Sequence, residues 1–127
     1  MSDLVTRLRA AGCVFAEEEA RLLTEAAPDP GALEHLVRRR VGGEPLELVL
    51  GWVAFDGLRV AVDPGVFVPR QRTAFLVDVA QRSLPAFAPD RPATVVDLCC
   101  GSGALGLALA HRRPGTTLHA TDVDPAA

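Results

Sequence analysis

Several residue types are missing from this chain. Its 127 residues include no lysine, asparagine, isoleucine or tyrosine, so all 13 of its basic side chains are arginines. A GC-rich genome imposes such a skew, and arginine richness alone is therefore no sign of a binding site. The formal net charge is -3, with no long run of one sign and no basic stripe interleaved with aromatic residues. The composition gives no support for a nucleic-acid-binding surface.

Long apolar runs are also missing. No stretch is long enough to span a bilayer. The first residues, Met1 to Leu4, lead into an amphipathic segment without the cationic and apolar regions of a secretory signal. We therefore expect a cytoplasmic protein that does not contact a membrane.

Cysteine and histidine are too few and too scattered to suggest a metal site. Cys99 and Cys100 are adjacent and Cys13 is remote, which matches neither a disulfide framework nor a CxxC pair. Three histidines without ligand spacing complete the set: His35, His111 and His119. We predict no metal. We also expect the two adjacent thiols to fill space in their loop rather than act as nucleophiles, because no basic neighbour is marked to lower their pKa.

Helical periodicity dominates the first third of the chain. Apolar residues recur at helical spacing between Ser2 and Val41, which predicts three short helices. Pro28 to Gly31 separates the second helix from the third, and Gly42-Gly43 ends the third. The preceding Arg38 to Arg40 is interpreted as a solvated helix end, where positive charge complements the helix dipole. We predict a helical region over residues 1–43.

A β-hairpin linker is predicted over residues 44–70. Asp56-Gly57 lies between the apolar runs Val53 to Phe55 and Leu58 to Val62, and an Asp-Gly pair in this position is a strong hairpin signal. The apolar residues Leu48 to Leu50 lead into it. Asp63-Pro64-Gly65 then ends the second strand.

Residues 71–127 predict the opening of an α/β domain. A helix is expected from about Arg72 to Leu84, followed by a proline-rich connector from Pro85 to Pro92. One face of that helix carries three apolar residues: Phe75, Leu76 and Val79. The strand Thr94 to Leu98, the helix Ala104 to Arg112 and the strand Thr117 to Thr121 then form a βαβ unit. This order is typical of the doubly wound, Rossmann-like class.

The loop between the first strand and its helix holds the candidate binding site. Gly101 and Gly103 allow a sharp turn and let a ligand approach the helix N-terminus. With Gly106 they also satisfy G-x-G-x-x-G, which by itself is a weak signal. The other interpretation is structural, with the glycines serving only to pack helix against strand.

Two carboxylates discriminate between possible cofactors. Asp97 precedes the loop, where it would repel a pyrophosphate but attract the ammonium and sulfonium groups of S-adenosylmethionine. Asp122 ends the second strand, at the offset where such folds present an acid to ribose hydroxyls. Asp97 could instead simply cap the adjoining turn. The combination favours S-adenosylmethionine over NAD.

At this point the chain resembles a known family, the N5-glutamine methyltransferases that modify peptide-chain release factors, also called the HemK family. Gly43 to Leu46, Leu50-Gly51, Phe55 to Leu58 and Val62 to Arg70 are similar to the family's linker hairpin. Val96 to Leu109 is similar to its first methyltransferase motif. The resemblance extends from roughly Arg40 to the end.

The resemblance implies a set of cofactor contacts. Asp97 would support the amino-acid end of S-adenosylmethionine, and Asp122 would bind the ribose hydroxyls. The loop under the cofactor would consist of Cys99, Cys100, Gly101, Ser102 and Gly103. The rim of the same cleft would hold Phe67, Pro69 and Arg70. The implied substrate is a protein, a peptide-chain release factor.

The sequence departs from the family at three points. Gln71 to Ala74 replace the usual proline, acidic residue, threonine and glutamate, and Cys99-Cys100 replace glycine and threonine, which suggests a related actinobacterial branch. The family's Asn-Pro-Pro-Tyr motif cannot occur in a chain without asparagine or tyrosine. We therefore expect an N-terminal fragment with no catalytic residue, inactive alone.

Other functions remain open from the sequence. A nucleic-acid adenine N6-methyltransferase shares the same cofactor half, although the hairpin signature and the charge disfavour it. An NAD-dependent oxidoreductase is disfavoured by Asp97. A non-catalytic binding module that contacts a protein through its helices is the remaining alternative.

Overall fold

The computed structural model describes residues 2–84 and 92–127. The chain divides into two compact units, the first ending at Gly51 and the second beginning at Trp52. The expected connector from Pro85 to Pro92 lies, apart from its last residue, outside the described residues. The three-part division at residues 43 and 70 remains a prediction.

The first unit is entirely helical. Helices α1 (Ser2–Ala10), α2 (Ala16–Ala26) and α3 (Pro30–Val41) confirm the three predicted ones. Asp29 begins α3: its Oδ1 accepts a hydrogen bond from the Ala32 backbone N–H at 2.8 Å, and Pro30 occupies the first helical position. None of the helices in the described part of the chain is both long enough and apolar enough to span a membrane.

A fourth, short helix completes this unit. Helix α4 (Leu46–Leu50) lies within the predicted linker, so the apolar run before the hairpin is helical rather than extended. Pro45 accepts the first helical hydrogen bonds, and Gly51 ends the helix in a left-handed conformation with φ of 77°. The apolar side chains of the unit form one buried core: Leu8, Cys13, Ala16, Ala20, Leu23, Val37 and Val49.

The arginines that end α3 are more than a solvated helix end. Arg40 forms a two-point ion pair with Glu19 of α2, with Nε–Oε2 at 2.6 Å, and the Glu19 residue is only 8% exposed. Arg39 pairs in the same way with Glu44 and donates to the Leu48 carbonyl at 3.1 Å. The solvated interpretation is wrong for Arg40, whose partner lies on the buried side of α2; Arg39 is part-buried in its pair with Glu44, and Arg38 is exposed.

The second unit begins with the predicted hairpin. Strands β1 (Trp52–Phe55) and β2 (Leu58–Ala61) pair antiparallel, with Phe55 opposite Leu58. Asp56 and Gly57 have φ of 50° and 79°, as a two-residue turn with two left-handed positions requires. Phe55 is fully buried.

The βαβ unit has the predicted bounds. Strands β3 (Thr94–Leu98) and β4 (Thr117–Thr121) are parallel, in a register that places Thr94 opposite Thr117, and helix α6 (Ala104–Arg112) connects them. The mixed α/β class is confirmed.

The helix before β3 exposes much of its apolar surface. A 3₁₀ turn (Gln71–Thr73) leads into helix α5 (Ala74–Ser83), which packs against α6. Val77 is its buried residue, while Phe75 is 67% and Leu76 54% exposed. The apolar face predicted from the sequence is therefore not the buried one.

Candidate cofactor site

The loop that joins β3 to α6 has an unusual backbone. Cys99, Gly101 and Gly103 all have positive φ, at 57°, 53° and 73°. Glycine adopts this left-handed region freely, whereas a residue with a Cβ is strained there. The chain thus reverses direction within five residues and delivers the N-terminus of α6 directly beside the end of β3.

Backbone N–H groups of this loop are donated inside the protein. Cys100 N–H bonds to the Thr121 carbonyl at 3.0 Å, which extends the parallel ladder beyond β3. Gly103 N–H bonds to the Cys100 carbonyl at 2.8 Å, and Gly101 N–H to Asp122 Oδ2 at 2.8 Å. A loop that cradles a pyrophosphate instead points such groups at the ligand. These three donors are already occupied.

Asp122 links the two strand ends. Besides Gly101 N–H, its carboxylate accepts the Asp124 N–H at Oδ1, at 2.9 Å. These backbone hydrogen bonds, the one from Asp124 first and that from Gly101 next, hold the pKa of Asp122 below its ordinary value. The side chain is exposed and ionised at neutral pH, so it can accept further donors from a ligand.

Asp97 occupies the other side of the loop. Its Oδ2 accepts the Gly106 N–H at 3.0 Å and so satisfies one of the unpaired donors in the first turn of α6. The structural role considered from the sequence is therefore present. A carboxylate has two oxygens and several acceptor positions, so this bond leaves capacity for another donor.

Gly106 permits that approach of α6 to β3 and β4. A Cβ added there would lie 2.8 Å from Leu118 Cδ1 and 2.9 Å from Asp97 Oδ2, closer than real Cβ contacts allow. The sequence pattern identified this glycine as the last of G-x-G-x-x-G, with packing of helix against strand as the other interpretation. Its necessity comes from packing and from the position of the Asp97 carboxylate.

The pKa of the Cys100 thiol is shifted by its surroundings in the loop. Burial, and then the charges of Asp97 and Asp122, raise the pKa of this thiol. Both carboxylates therefore act on one point of the loop. Negative charge at this point disfavours a Cys100 thiolate and favours a cationic ligand.

The segment predicted to form the cleft rim belongs to the same unit. Val66, only 8% exposed, lies under this segment, and its Cγ1 is 4.0 Å from the position of a Cβ at Gly101. Phe67 is 70% exposed, and the Arg70 guanidinium lies 5.9 Å from the centre of its ring. Pro69 is half-buried. Sequence reasoning missed Val66, although its apolar neighbours gave some signal of burial.

These contacts bring most of the predicted cofactor residues together. Asp122 is hydrogen-bonded to Gly101 within the loop from Cys99 to Gly103, and Asp97 to Gly106 in the first turn of α6, directly after the loop. Two carboxylates therefore lie at a sharply turned loop that ends at a helix N-terminus. Such an arrangement suits a ligand that carries both positive groups and hydroxyl donors.

Comparison with known families gives a match over this unit. A family model described as the methyltransferase small domain matches residues 57–127, which begin in the hairpin turn and include the whole loop.

Comparison with curated proteins gives matches across both units. A release factor glutamine methyltransferase of Mycolicibacterium smegmatis is 45% identical over 115 residues, which cover 87% of this chain and 39% of that protein. Proteins of the same name from Corynebacterium glutamicum and Coxiella burnetii are 40% and 41% identical, over 77% and 75% of this chain and 34% and 33% of their own lengths. The chain thus spans between a third and two fifths of the length of these relatives.

Proposed function

The chain belongs to the methyltransferase small domain family, and on that premise we propose that its second unit forms the cofactor-binding start of an S-adenosylmethionine-dependent methyltransferase. S-adenosylmethionine would supply a methyl group made electrophilic by its sulfonium. The residues of this chain would bind and orient it. The reaction would take place in the cytoplasm.

One observation carries the proposal: two carboxylates act on the same point of a sharply turned loop. Asp122 accepts the Gly101 N–H at 2.8 Å and Asp97 accepts the Gly106 N–H at 3.0 Å, and after burial their charges raise the pKa of the Cys100 thiol. A negative field of this kind attracts the ammonium and sulfonium groups of S-adenosylmethionine and repels the pyrophosphate of a dinucleotide. The N–H groups of Cys100, Gly101 and Gly103 are bonded within the protein and are not free to bind a pyrophosphate, which also favours S-adenosylmethionine over a dinucleotide.

The residues present fit this cofactor. Asp122 would accept the ribose hydroxyls, because its exposed carboxylate keeps acceptor capacity beyond its backbone donors. Asp97 would accept the ammonium group of the methionine part. The loop from Cys99 to Gly103 would lie beneath the methionine and ribose, and Phe67, Pro69 and Arg70 would form the rim.

Calorimetric titration of the chain tests the cofactor. We expect heat from S-adenosylmethionine and none from NAD, and a large loss of affinity in Asp122→Asn, which keeps the shape but removes the charge. Asp3→Asn, in the first unit, removes an equal charge as the control. Binding of NAD in preference to S-adenosylmethionine would reject the proposal.

For the whole protein, we propose methylation of a glutamine side chain in a peptide-chain release factor. The support is the printed name shared by relatives that match across both units at 40 to 45% identity. An amide nitrogen is a poor nucleophile, so hydrogen-bond acceptors must orient it towards the methyl group. This chain has no asparagine or tyrosine and therefore contains no Asn-Pro-Pro-Tyr motif to supply these acceptors.

The substrate is tested on the longer protein. Incubation with a release factor and S-adenosylmethionine carrying a labelled methyl group should place the label on one glutamine, located by mass spectrometry of the digested product. A release factor with that glutamine changed to asparagine is the control. Label that appears on DNA or RNA adenine instead would favour the nucleic-acid alternative.

A further inference from the structure

Arg112, the last residue of α6, joins three elements of the second unit. Its Nε donates to Asp56 Oδ2 in the hairpin turn at 2.7 Å, and its Nη2 donates to Oδ1 of the same carboxylate. Its Nη1 donates to Asp78 of α5 and, at 3.2 Å, to Gln81 Oε1. One guanidinium therefore holds the hairpin turn, α5 and α6 together.

The geometry differs from that of an ordinary surface ion pair. The Asp56 side chain is 13% and the Arg112 side chain 26% exposed. Arginine presents its donors in a rigid planar fork, and a two-point pair with a carboxylate fixes orientation as well as distance. Arg112 also stands in the last helical turn, where a cation is favoured by the helix dipole.

The hairpin that Arg112 holds continues into the segment Val62 to Arg70, which approaches the cofactor loop at Val66. The Gln71 side chain donates to the Ala54 carbonyl of β1, so the chain is attached to the hairpin again after the rim segment. Between these attachments, Val62 and Val66 are 3% and 8% exposed. Val66 is the residue that approaches Gly101. The segment from Val62 to Arg70 is thus anchored at both ends with its middle on the loop.

We propose that Arg112 is a positioning residue: by gripping Asp56 it sets the hairpin, and through the hairpin it sets the segment from Val62 to Arg70 over the cofactor loop. The proposal rests on the proposed function for the role of that loop. The hydrogen bonds described for Arg112 go to Asp56, Asp78 and Gln81, outside the loop. The effect of Arg112 on cofactor binding is transmitted through the hairpin.

The electrostatics agree with this arrangement. The hydrogen bonds from Arg112 hold the pKa of Asp56 below its ordinary value, so the pair is fully charged at neutral pH. His111 adds a smaller effect in the same direction. Arg112 and His111, the two α6 residues that lower the pKa of Asp56, thus both favour its charged form.

The test compares substitutions at this cluster by amide hydrogen exchange and by S-adenosylmethionine titration of the chain. Arg112→Met removes the fork and the charge, and Arg112→Lys restores the charge alone. We expect exchange in β2 and at Val66 to rise roughly tenfold in Arg112→Met, and affinity for S-adenosylmethionine to fall by a similar factor. Arg112→Lys should recover part of both.

Two further variants separate positioning from general stability. Asp56→Asn keeps the turn residue's shape and leaves Arg112 paired with Asp78. It should reproduce the rise in exchange at β2 and Val66, and it tests the proposal if Arg112→Met does not fold. Arg82→Met removes an exposed arginine of α5 and should change neither readout more than about twofold.

The proposal is overturned if exchange at β2 and Val66 is unchanged in Arg112→Met and Asp56→Asn. It is also overturned if exchange rises evenly over α5, α6 and the sheet, because the cluster would then be merely structural. If the unaltered chain shows no heat with S-adenosylmethionine, the proposed function fails instead, and local exchange alone decides whether Arg112 positions the segment.

Discussion

The two units differ in how completely they cover their apolar side chains. The helical unit buries Leu8 and Leu23 completely, and its most exposed large apolar side chains, Val14 and Phe15, lie in the turn before α2. In the second unit Leu98 is 72% and Val96 54% exposed, on strand β3, which pairs with β4 alone among the described residues. A short helix offers one apolar stripe, which a few neighbours can enclose. A parallel sheet has two faces and is normally covered on both.

The less covered unit is the one that carries the candidate site. Its loop is fixed by directed hydrogen bonds, such as those from Gly101 to Asp122 and from Gly106 to Asp97, rather than by deep burial. Local polar contacts can therefore keep a binding loop in shape where the surrounding core is open. The helical unit is thus held by its buried apolar core, whereas the site loop is held by a few local polar contacts.

The largest expected effect is the difference between two leucine truncations. Leu23→Ala in the helical core should lower the free energy of unfolding by about 2–5 kcal/mol, because it removes buried contacts and leaves a cavity. Leu98→Ala, at an exposed position, should change it by no more than about 0.5 kcal/mol. Urea unfolding followed by circular dichroism measures both. An equal loss in the two variants would mean that the exposed sheet face is covered in solution.

A smaller effect is expected where α6 meets the sheet. Gly106→Ala should lower the free energy of unfolding by about 1–3 kcal/mol, since the new methyl group would overlap Leu118 and the Asp97 carboxylate. The same change should weaken S-adenosylmethionine binding, because Asp97 must move. Thermal unfolding and calorimetric titration provide the two readouts.

A double variant sharpens that result. Leu118→Ala removes the nearer of the two obstructing groups, so Gly106→Ala should cost less stability in its presence than alone. The cofactor affinity should recover less, because the contact with Asp97 remains. Strictly additive losses of stability would show that the glycine is needed for some reason other than space.

Much of this fold follows from sequence pattern. The Asp56-Gly57 turn and the bounds of β3, α6 and β4 were predicted correctly, since they depend on local turn chemistry and short-range periodicity. The buried side of α5 was not, because burial depends on what packs against a helix. Periodicity identified Phe75 and Leu76 as an apolar face but could not show that Val77 is the residue against the core.

Some residues of the candidate site and its supports could be predicted from the sequence, and others could not. Asp97 and Asp122 could be chosen from their offsets to the glycines, and the structure places both beside the loop. Arg112 and Asp56 lie 56 positions apart and belong to no motif. Only the packing of the hairpin against α6 makes them neighbours, so no local rule could have paired them.

A third prediction concerns strain in the loop. Cys99 has a side chain in the left-handed region, with φ of 57°. Cys99→Gly should raise the free energy of unfolding by at most about 1 kcal/mol, because the relief of strain is partly offset by the greater freedom of glycine in the unfolded chain. Cys100→Ser, at a neighbouring position without positive φ, is the control. A loss of stability in Cys99→Gly would mean that the thiol makes a compensating contact.

The smallest expected effect is the titration of Asp122. Hydrogen bonds from the Asp124 and Gly101 N–H groups lower its pKa in the folded state from the ordinary value of 3.8, so the carboxylate contributes stability above that value and loses it as the pH falls further. The contribution is small because the group is exposed and screened by water. The amide shift of Gly101, followed by nuclear magnetic resonance, should titrate with a midpoint below 3.8 and stay flat in Asp122→Asn. A midpoint at or above 3.8 would show that this carboxylate does not hold the loop in solution. The site would then lack the directed hydrogen bonds that distinguish it from the exposed sheet of the same unit.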